Sequence, residues 1–595
     1  MLRPQDNIAR EARSLDGIWD FLVDIDSVGR EQRWWSAPLV SPLLMPVPSS
    51  YDDVLVDRAL HDHVGDVWYQ RQLFVPPGWD GRRIVLRFDA ACHQAVVWFD
   101  DEQVAEHAGG YTPFEADVTD LARAGHEHRV TVVVNNELTW QTLPPGIVSL
   151  RADGRKQVHY YHDFYNYSGL HRSTWLCATP RTHIDDITVV TDRDGSTGIV
   201  RCSIAVADDA GTSTVRVELR DESGAVVAEG TGTEPELHVA DAHLWAPGAA
   251  YLYDLCVDLV RDGSVVDQYR LPVGIRTVRI DGTAFLINDE PFSFRGFGMH
   301  EDHPVRGKGH DAASMVHDFA LLDWLGANSF RTSHYPYAEE VLDHADRLGL
   351  VVIDETAAVG LNLGVGGGMF LGGDRITFSD DTVNGSTQDV HRQAIRELIA
   401  RDKNHPSVVL WCLANEPETH SPESVDYFAP LFDLARDLDP TRPVGLVNML
   451  LSPPDRCLVT GLADVVMVNR YYGWYLGFDL GEAEKGLEDE LRAWVDKHGM
   501  PIIVTEYGGD AVAGIRSVES NPWSEEYQAD LLDTYHAVFD RIDAVVGEHV
   551  WNFADFATAP SFMRVEGNKK GVFTRDRKPK LAAHRLRARW RGLSS

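Results

Sequence analysis

Over the first 180 residues, apolar positions recur at every second residue in short runs. These are 67–75 (VWYQRQLFV), 82–88 (RRIVLRF), 94–105 (QAVVWFDDEQVA) and 129–136 (RVTVVVNN). Their period and their Val, Phe and Trp content are those of β-strands, and Pro-Pro-Gly and Gly-Gly clusters separate them. The pattern predicts a jelly-roll-like β-sandwich over residues 1–182. Runs such as 198–207 (GIVRCSIAVA), 214–221 (TVRVELRD) and 251–260 (YLYDLCVDLV) continue about every ten residues. They predict a smaller, immunoglobulin-like sandwich over 183–276.

Near residue 277 the period changes. Strand-length apolar runs now alternate with amphipathic helical stretches such as 338–349 (AEEVLDHADRLG) and 389–402 (DVHRQAIRELIARD). The strands expected are 291–298, 327–333, 350–355, 407–416, 442–449, 464–471, 501–508 and 544–553. Eight strand–helix units over 277–595 predict a (β/α)₈ barrel with its active site at the C-terminal strand ends.

Charge narrows the range of partners. Lys+Arg number 55 against 91 Asp+Glu, a net charge of −36, which repels phosphate backbones and disfavours nucleic acid or a polybasic membrane contact. No run of 18 apolar residues occurs, so no membrane span is expected. The first residues, MLRPQDNIAREARSLDG, lack the apolar centre of a signal peptide. We expect a cytoplasmic homo-oligomer, dimer or tetramer. The six cysteines form no C-x-x-C pair. Cys202 and Cys256 could face each other in the second sandwich, but without an export signal they read as buried free thiols. The His61/His63 and His300/His303 pairs lack a second cluster at ligand spacing, so no metal and no cofactor are expected. The Gly-rich run 364–373 lacks the ending of a phosphate loop and reads as a mobile loop.

Two barrel strands end in a carboxylate, Glu416 after Asn415 on strand 4 and Glu506 on strand 7. One such Glu could equally cap a helix or pair with an Arg. Two at the mouth of one barrel suit glycoside cleavage, in which one carboxyl protonates the leaving oxygen and the other attacks or activates water.

The residues around them are similar to a known family. NSFRTSHYP at 328–336 and DKNHPSVVLWCLANE at 402–416 resemble signatures of glycoside hydrolase family 2. IDETAA at 353–358, NRYYGWY at 469–475, TEYG at 505–508, WSEEYQ at 523–528, VWNFADF at 550–556 and NKKGVFTRDRKPK at 568–580 resemble that family's bacterial β-glucuronidases. GGYTPF at 109–114 and HDFYNYSGLHR at 162–172 match the family's sugar-binding first domain, and LWAP at 244–247 its middle one. The resemblance implies a retaining exo-glycosidase of β-D-glucuronides, with Glu416 as general acid/base and Glu506 as nucleophile. It further implies Asn415 on the sugar 2-hydroxyl, and Asp163 and His334 on the outer hydroxyls. Asn469, Tyr471, Tyr475 and Trp551 would surround the ring. Asn568 and Lys570, with Arg564 nearby, would read the glucuronate carboxylate. A β-galacturonidase, a β-galactosidase and a catalytically silent carbohydrate binder are the alternatives. Residues 361–376 keep the family's Asn-Leu start and then diverge. This loop is expected over the aglycone side, where it would set aglycone choice and not sugar choice.

Overall fold

The computed structural model describes residues 2–208, 211, 213–365 and 376–593. Most of the Gly-rich loop expected to govern the aglycone, residues 366–375, therefore lies outside the described residues.

The first sandwich packs a six-stranded antiparallel sheet on a four-stranded one. Alternation produces it. Thr174–Thr179 buries every second residue, and Leu86, Phe88, Val132, Val134 and Leu176 meet between the sheets. The second sandwich pairs a three-stranded with a four-stranded sheet in the same manner, around Val200, Val217, Leu255 and Val257. Cys202 and Cys256 are both free and buried there.

The third unit is a closed parallel barrel. Its strands are β1 (Phe294–Gly298), β2 (Ser329–Arg331), β3 (Val351–Glu355), β4 (Val408–Asn415), β5 (Val444–Asn448), β6 (Val466–Asn469), β7 (Ile502–Glu506) and β8 (Val545–Val550). Every residue of β3 to β7 is buried, as a parallel sheet covered on both faces requires. Two features depart from the expected pattern. Seven α-helices flank the barrel, and among the described residues the β5–β6 connection carries only the 3₁₀ turn Thr460–Leu462. The adjacent Pro453 and Pro454 cannot sustain a helix there. Residues 278–291 form a small antiparallel sheet whose Phe285 and Ile287 plug the lower end of the barrel beneath Val351, Ile353, Met467 and Ile503.

Buried charge ties the units together. Arg10 forks onto Asp267 of the second sandwich at 2.9 and 2.6 Å. Arg87 lies fully buried between Asp89 (2.6 Å) and Glu339 of the barrel (2.7 Å). Cations this deep are tolerable only when paired. Loop 162–172 of the first sandwich crosses the barrel mouth. Arg172 bonds the Pro336 carbonyl at 2.5 Å, and the Tyr165 amide bonds the Ala557 carbonyl at 2.9 Å. Lys308 sits 3.8 Å from the Tyr335 ring centroid and 4.2 Å from that of Phe164, a cation–π seat joining the loop to the barrel. Burial pushes this ammonium down to about 8. These contacts carry Asp163 to the upper rim of the barrel.

Candidate active site

The C-terminal ends of the barrel strands and loop 162–172 enclose one pocket. At the tip of β7, Glu506 accepts on both oxygens. The Tyr471 hydroxyl donates to Oε2 at 2.6 Å, and the Arg331 guanidinium donates to Oε1. Arg331, fully buried at the end of β2, also bonds Glu355 of β3. Burial works to raise Glu355, but Arg331 and His334 outweigh it and hold its carboxyl below the ordinary range. His334 Nδ1 lies 2.8 Å from Glu355, and its ring stacks on Trp551 at 5.0 Å.

Glu416 follows directly on β4 with a positive φ of 51°. A non-glycine residue adopts this region at a cost of about 1 kcal/mol or more, a strain that clusters at functional sites. Its amide bonds the Val447 carbonyl at 2.9 Å, and Asn469 Nδ2 donates to Oε1 at 2.9 Å. Burial, reinforced by the nearby Glu506 charge, pushes Glu416 up to about 7. The two carboxyls thus differ in surroundings. One is held by a cation and a phenol, and the other is desolvated with a single amide donor. Such a division separates an acid from a nucleophile.

At one end of the pocket, charge is concentrated. Arg564 grips Asp163 at 3.1 and 2.5 Å. Asn568 Nδ2 donates to Asp163 at 3.0 Å, and its Oδ1 accepts the Lys570 amide at 2.9 Å. The Lys570 ammonium bonds Asp510 at 2.5 Å and the Tyr475 hydroxyl at 2.9 Å. Burial works to raise Asp510, but Lys570 and Arg564 hold it below the ordinary range.

Of the twelve residues expected in the site, ten line the pocket. Asn469 and Lys570 do not. Asn469 is fully buried behind Asn415 and Glu416. Lys570 is 1% exposed and stands behind Tyr475. Sequence reasoning did not assign Arg331, Glu355 or Asp510. Each carried a signal, being a charged residue at or just beyond the end of an apolar barrel strand. The His300/His303 pair yields no metal cluster among the described residues. The one group at ligand distance there is Asp343, Asp346 and His405, where Asp346 pairs with His405 at 2.6 Å.

Comparison with known proteins agrees with this architecture. Models described as glycosyl hydrolases family 2 match along the chain, the sugar binding domain at 12–180, the central domain at 182–276 and the TIM barrel domain at 278–595. A β-glucuronidase of Paenibacillus borealis is 51% identical over 99% of this chain and 98% of its own length. That of Mus musculus is 44% identical over 99% and 92%. Among solved structures, a β-glucuronidase from an uncultured Clostridium species aligns with TM-score 0.93 and 44% identity over the whole of both chains. That of Ruminococcus gnavus in complex with D-glucaro 1,5-lactone aligns with TM-score 0.94 and 41% identity over 99% of each. The chain belongs to family 2 of the glycosyl hydrolases.

Proposed function

We propose that this protein is a retaining exo-β-glucuronidase, hydrolysing β-D-glucuronides to D-glucuronate and an alcohol. The observation that carries the reading is the union in one pocket of an unequal carboxyl pair, Glu416 and Glu506, with a cationic end formed by Arg564, Asn568 and Lys570. Relatives of high identity along the full length bear the β-glucuronidase name, and the Ruminococcus gnavus relative is seen with D-glucaro 1,5-lactone.

Glu506 attacks the anomeric carbon while Glu416, protonated at neutral pH to a substantial fraction, gives its proton to the glycosidic oxygen. The bond to the aglycone breaks and a glucuronyl ester forms on Glu506. Glu416, now ionised, takes a proton from water, which displaces the ester from the opposite face and restores the β-configuration. Arg331 and Tyr471 keep Glu506 oriented and accept its loss of charge as the ester forms. Asn415 Oδ1 is occupied by Asn469 and Arg331 on the protein side, which turns its amide nitrogen toward the sugar 2-hydroxyl. Asp163 and His334 meet the outer hydroxyls. Tyr475 and Trp551 flank the ring.

The test compares aryl β-glucuronide, β-galacturonide and β-galactoside hydrolysis, with NMR of the first-formed sugar. Preference for glucuronide and early β-anomer is expected. A preferred galactoside, or early α-anomer, overturns the sugar or the mechanism respectively. The reading includes a cytoplasmic homo-oligomer, for sedimentation and cell fractionation to check. No helix among the described residues is long and apolar enough to cross a membrane.

A further inference from the structure

We infer that the leaving-group side of the pocket is built for apolar, ring-bearing alcohols and not for a second sugar. This rests on the glucuronidase reading above and adds the substrate class. If Glu416 hands its proton to the glycosidic oxygen, the aglycone lies on the Glu416 side, away from Arg564 and Asn568. The wall there comes from the segments that follow β3 and β5. Met449, Leu450 and Leu451 leave the end of β5 in succession, and Val365 faces the same space from the β3 side. Tyr161 contributes a ring from the first sandwich, itself packed against Trp140 at 5.6 Å. The one amide side chain on this wall, Asn362, already bonds Met449 Sδ at 2.7 Å. Among the described residues lining this side beyond Glu416, none is charged.

A sugar in this position would bring several hydroxyls out of water with few partners for them, a cost without return. An aromatic or alicyclic aglycone would instead cover apolar side chains, which favours binding in proportion to the area covered. The contrast with the charged end of the same pocket is chemical. There, hydrogen-bonding groups converge. Here, they are already used or missing from the lining side chains.

The experiment uses the full-length protein and three alkyl-type substrates: methyl β-D-glucuronide, 2-phenylethyl β-D-glucuronide, and a disaccharide with glucuronate β-linked to glucose. The sugar hydroxyl is the most acidic of the three alcohols, so leaving-group chemistry alone favours the disaccharide. We expect kcat/KM for the phenylethyl compound to exceed both others by roughly tenfold, mainly through KM. Leu450→Ser and Leu451→Ser, each at a half-buried position, should lower the phenylethyl-to-methyl ratio several-fold. Disaccharide cleavage at or above the phenylethyl rate overturns the assignment. So does an unchanged ratio in both variants. Cleavage of all three without ranking removes the subsite alone, whereas failure to cleave any removes the glucuronidase reading and the subsite with it.

Discussion

The two ends of the pocket lie within one barrel mouth yet are held by opposite physics. At the glucuronate end, two cations, Arg564 and Lys570, are matched by two carboxylates, Asp163 and Asp510. At the other end, Met449, Leu450, Leu451 and Val365 make a wall that needs no partner. The difference shows how a chain of net charge −36 can receive an anion. A buried cation without a counter-charge is expensive, so the cations arrive already paired. The substrate carboxylate then competes with Asp163 and Asp510 for donors that are oriented in advance. Selectivity arises because a sugar lacking the carboxylate gives up a charge-assisted bond. The apolar end can discriminate only by area and shape, which is a weaker and more graded criterion.

The largest expected effect removes the chemistry that both ends serve. Glu506→Ala loses the covalent step, and kcat/KM should fall by roughly 10⁴-fold or more for every glucuronide, independent of aglycone. Glu416→Ala should differ. It should cost roughly 10²–10⁴-fold with alkyl aglycones, which need protonation, and far less with dinitrophenol-like leaving groups. Azide should partly rescue its second step. Leaving-group series for both variants, with and without azide, decide the matter. Equal losses in both series and no azide effect would exchange or dissolve the assigned roles.

Next in size is a direct challenge to the charged end. A bond to a charged group is worth about 1.5–3 kcal/mol, and each 1.4 kcal/mol is about tenfold in kcat/KM. Lys570→Ala should lower glucuronide kcat/KM by roughly 10²-fold and leave any β-glucoside activity nearly unchanged. Asn568→Ala should act in the same direction but less, because it removes a neutral donor. Lys569→Ala should do little, since its ammonium bonds the Glu566 carbonyl outside the pocket. The placement of Lys570 behind Tyr475 sharpens the measurement. If Arg564→Ala costs more than Lys570→Ala, the carboxylate is read chiefly by the pocket-lining Arg564, with Lys570 as its support. Equal loss on glucuronide and glucoside would make Lys570 structural.

How much of this was legible beforehand follows the range of the interactions. The barrel strands stood out because burial on both faces writes an uninterrupted apolar run into the local sequence, and Glu416 and Glu506 stood out as the charges that end two such runs. The family motifs then supplied the charged end, residue by residue. The functions of Arg331, Glu355 and Asp510 were not legible. Arg331 acts by bridging carboxylates 24 and 175 positions away in the chain, and Asp510 by holding an ammonium 60 positions away. Only closure of the barrel brings these partners together. The plug at 278–291 was missed for a related reason. Its short alternating strands look like a continuation of the second sandwich, and only packing against β3, β6 and β7 shows their place. The helix expected between β5 and β6 failed on local chemistry, at Pro453 and Pro454. The apolar end left no motif, because Met449, Leu450 and Leu451 read as the tail of an ordinary buried strand.

The smallest expected effect concerns Asn469, which touches Glu416 from behind and touches neither end. Glu416, at about 7, must be protonated to act as the acid, so kcat/KM for alkyl glucuronides should hold below pH 7 and fall as pH rises through it. Asn469 Nδ2 donates to the Glu416 carboxylate at 2.9 Å and so favours its charged form. Removing that bond raises the pKa further. Asn469→Ala should therefore move the alkaline limb to higher pH, on the order of one unit, since one unit is about 1.4 kcal/mol of differential stabilisation. The acid form would then persist into more alkaline solution, even as the less well oriented carboxyl lowers the maximal rate. A pH profile of kcat/KM for wild type and variant with methyl β-D-glucuronide measures both quantities at once. A limb that stays in place or moves to lower pH would show that Asn469 serves Asn415 or Thr505, its other partners, and leaves the acidity of Glu416 to burial and Glu506 alone.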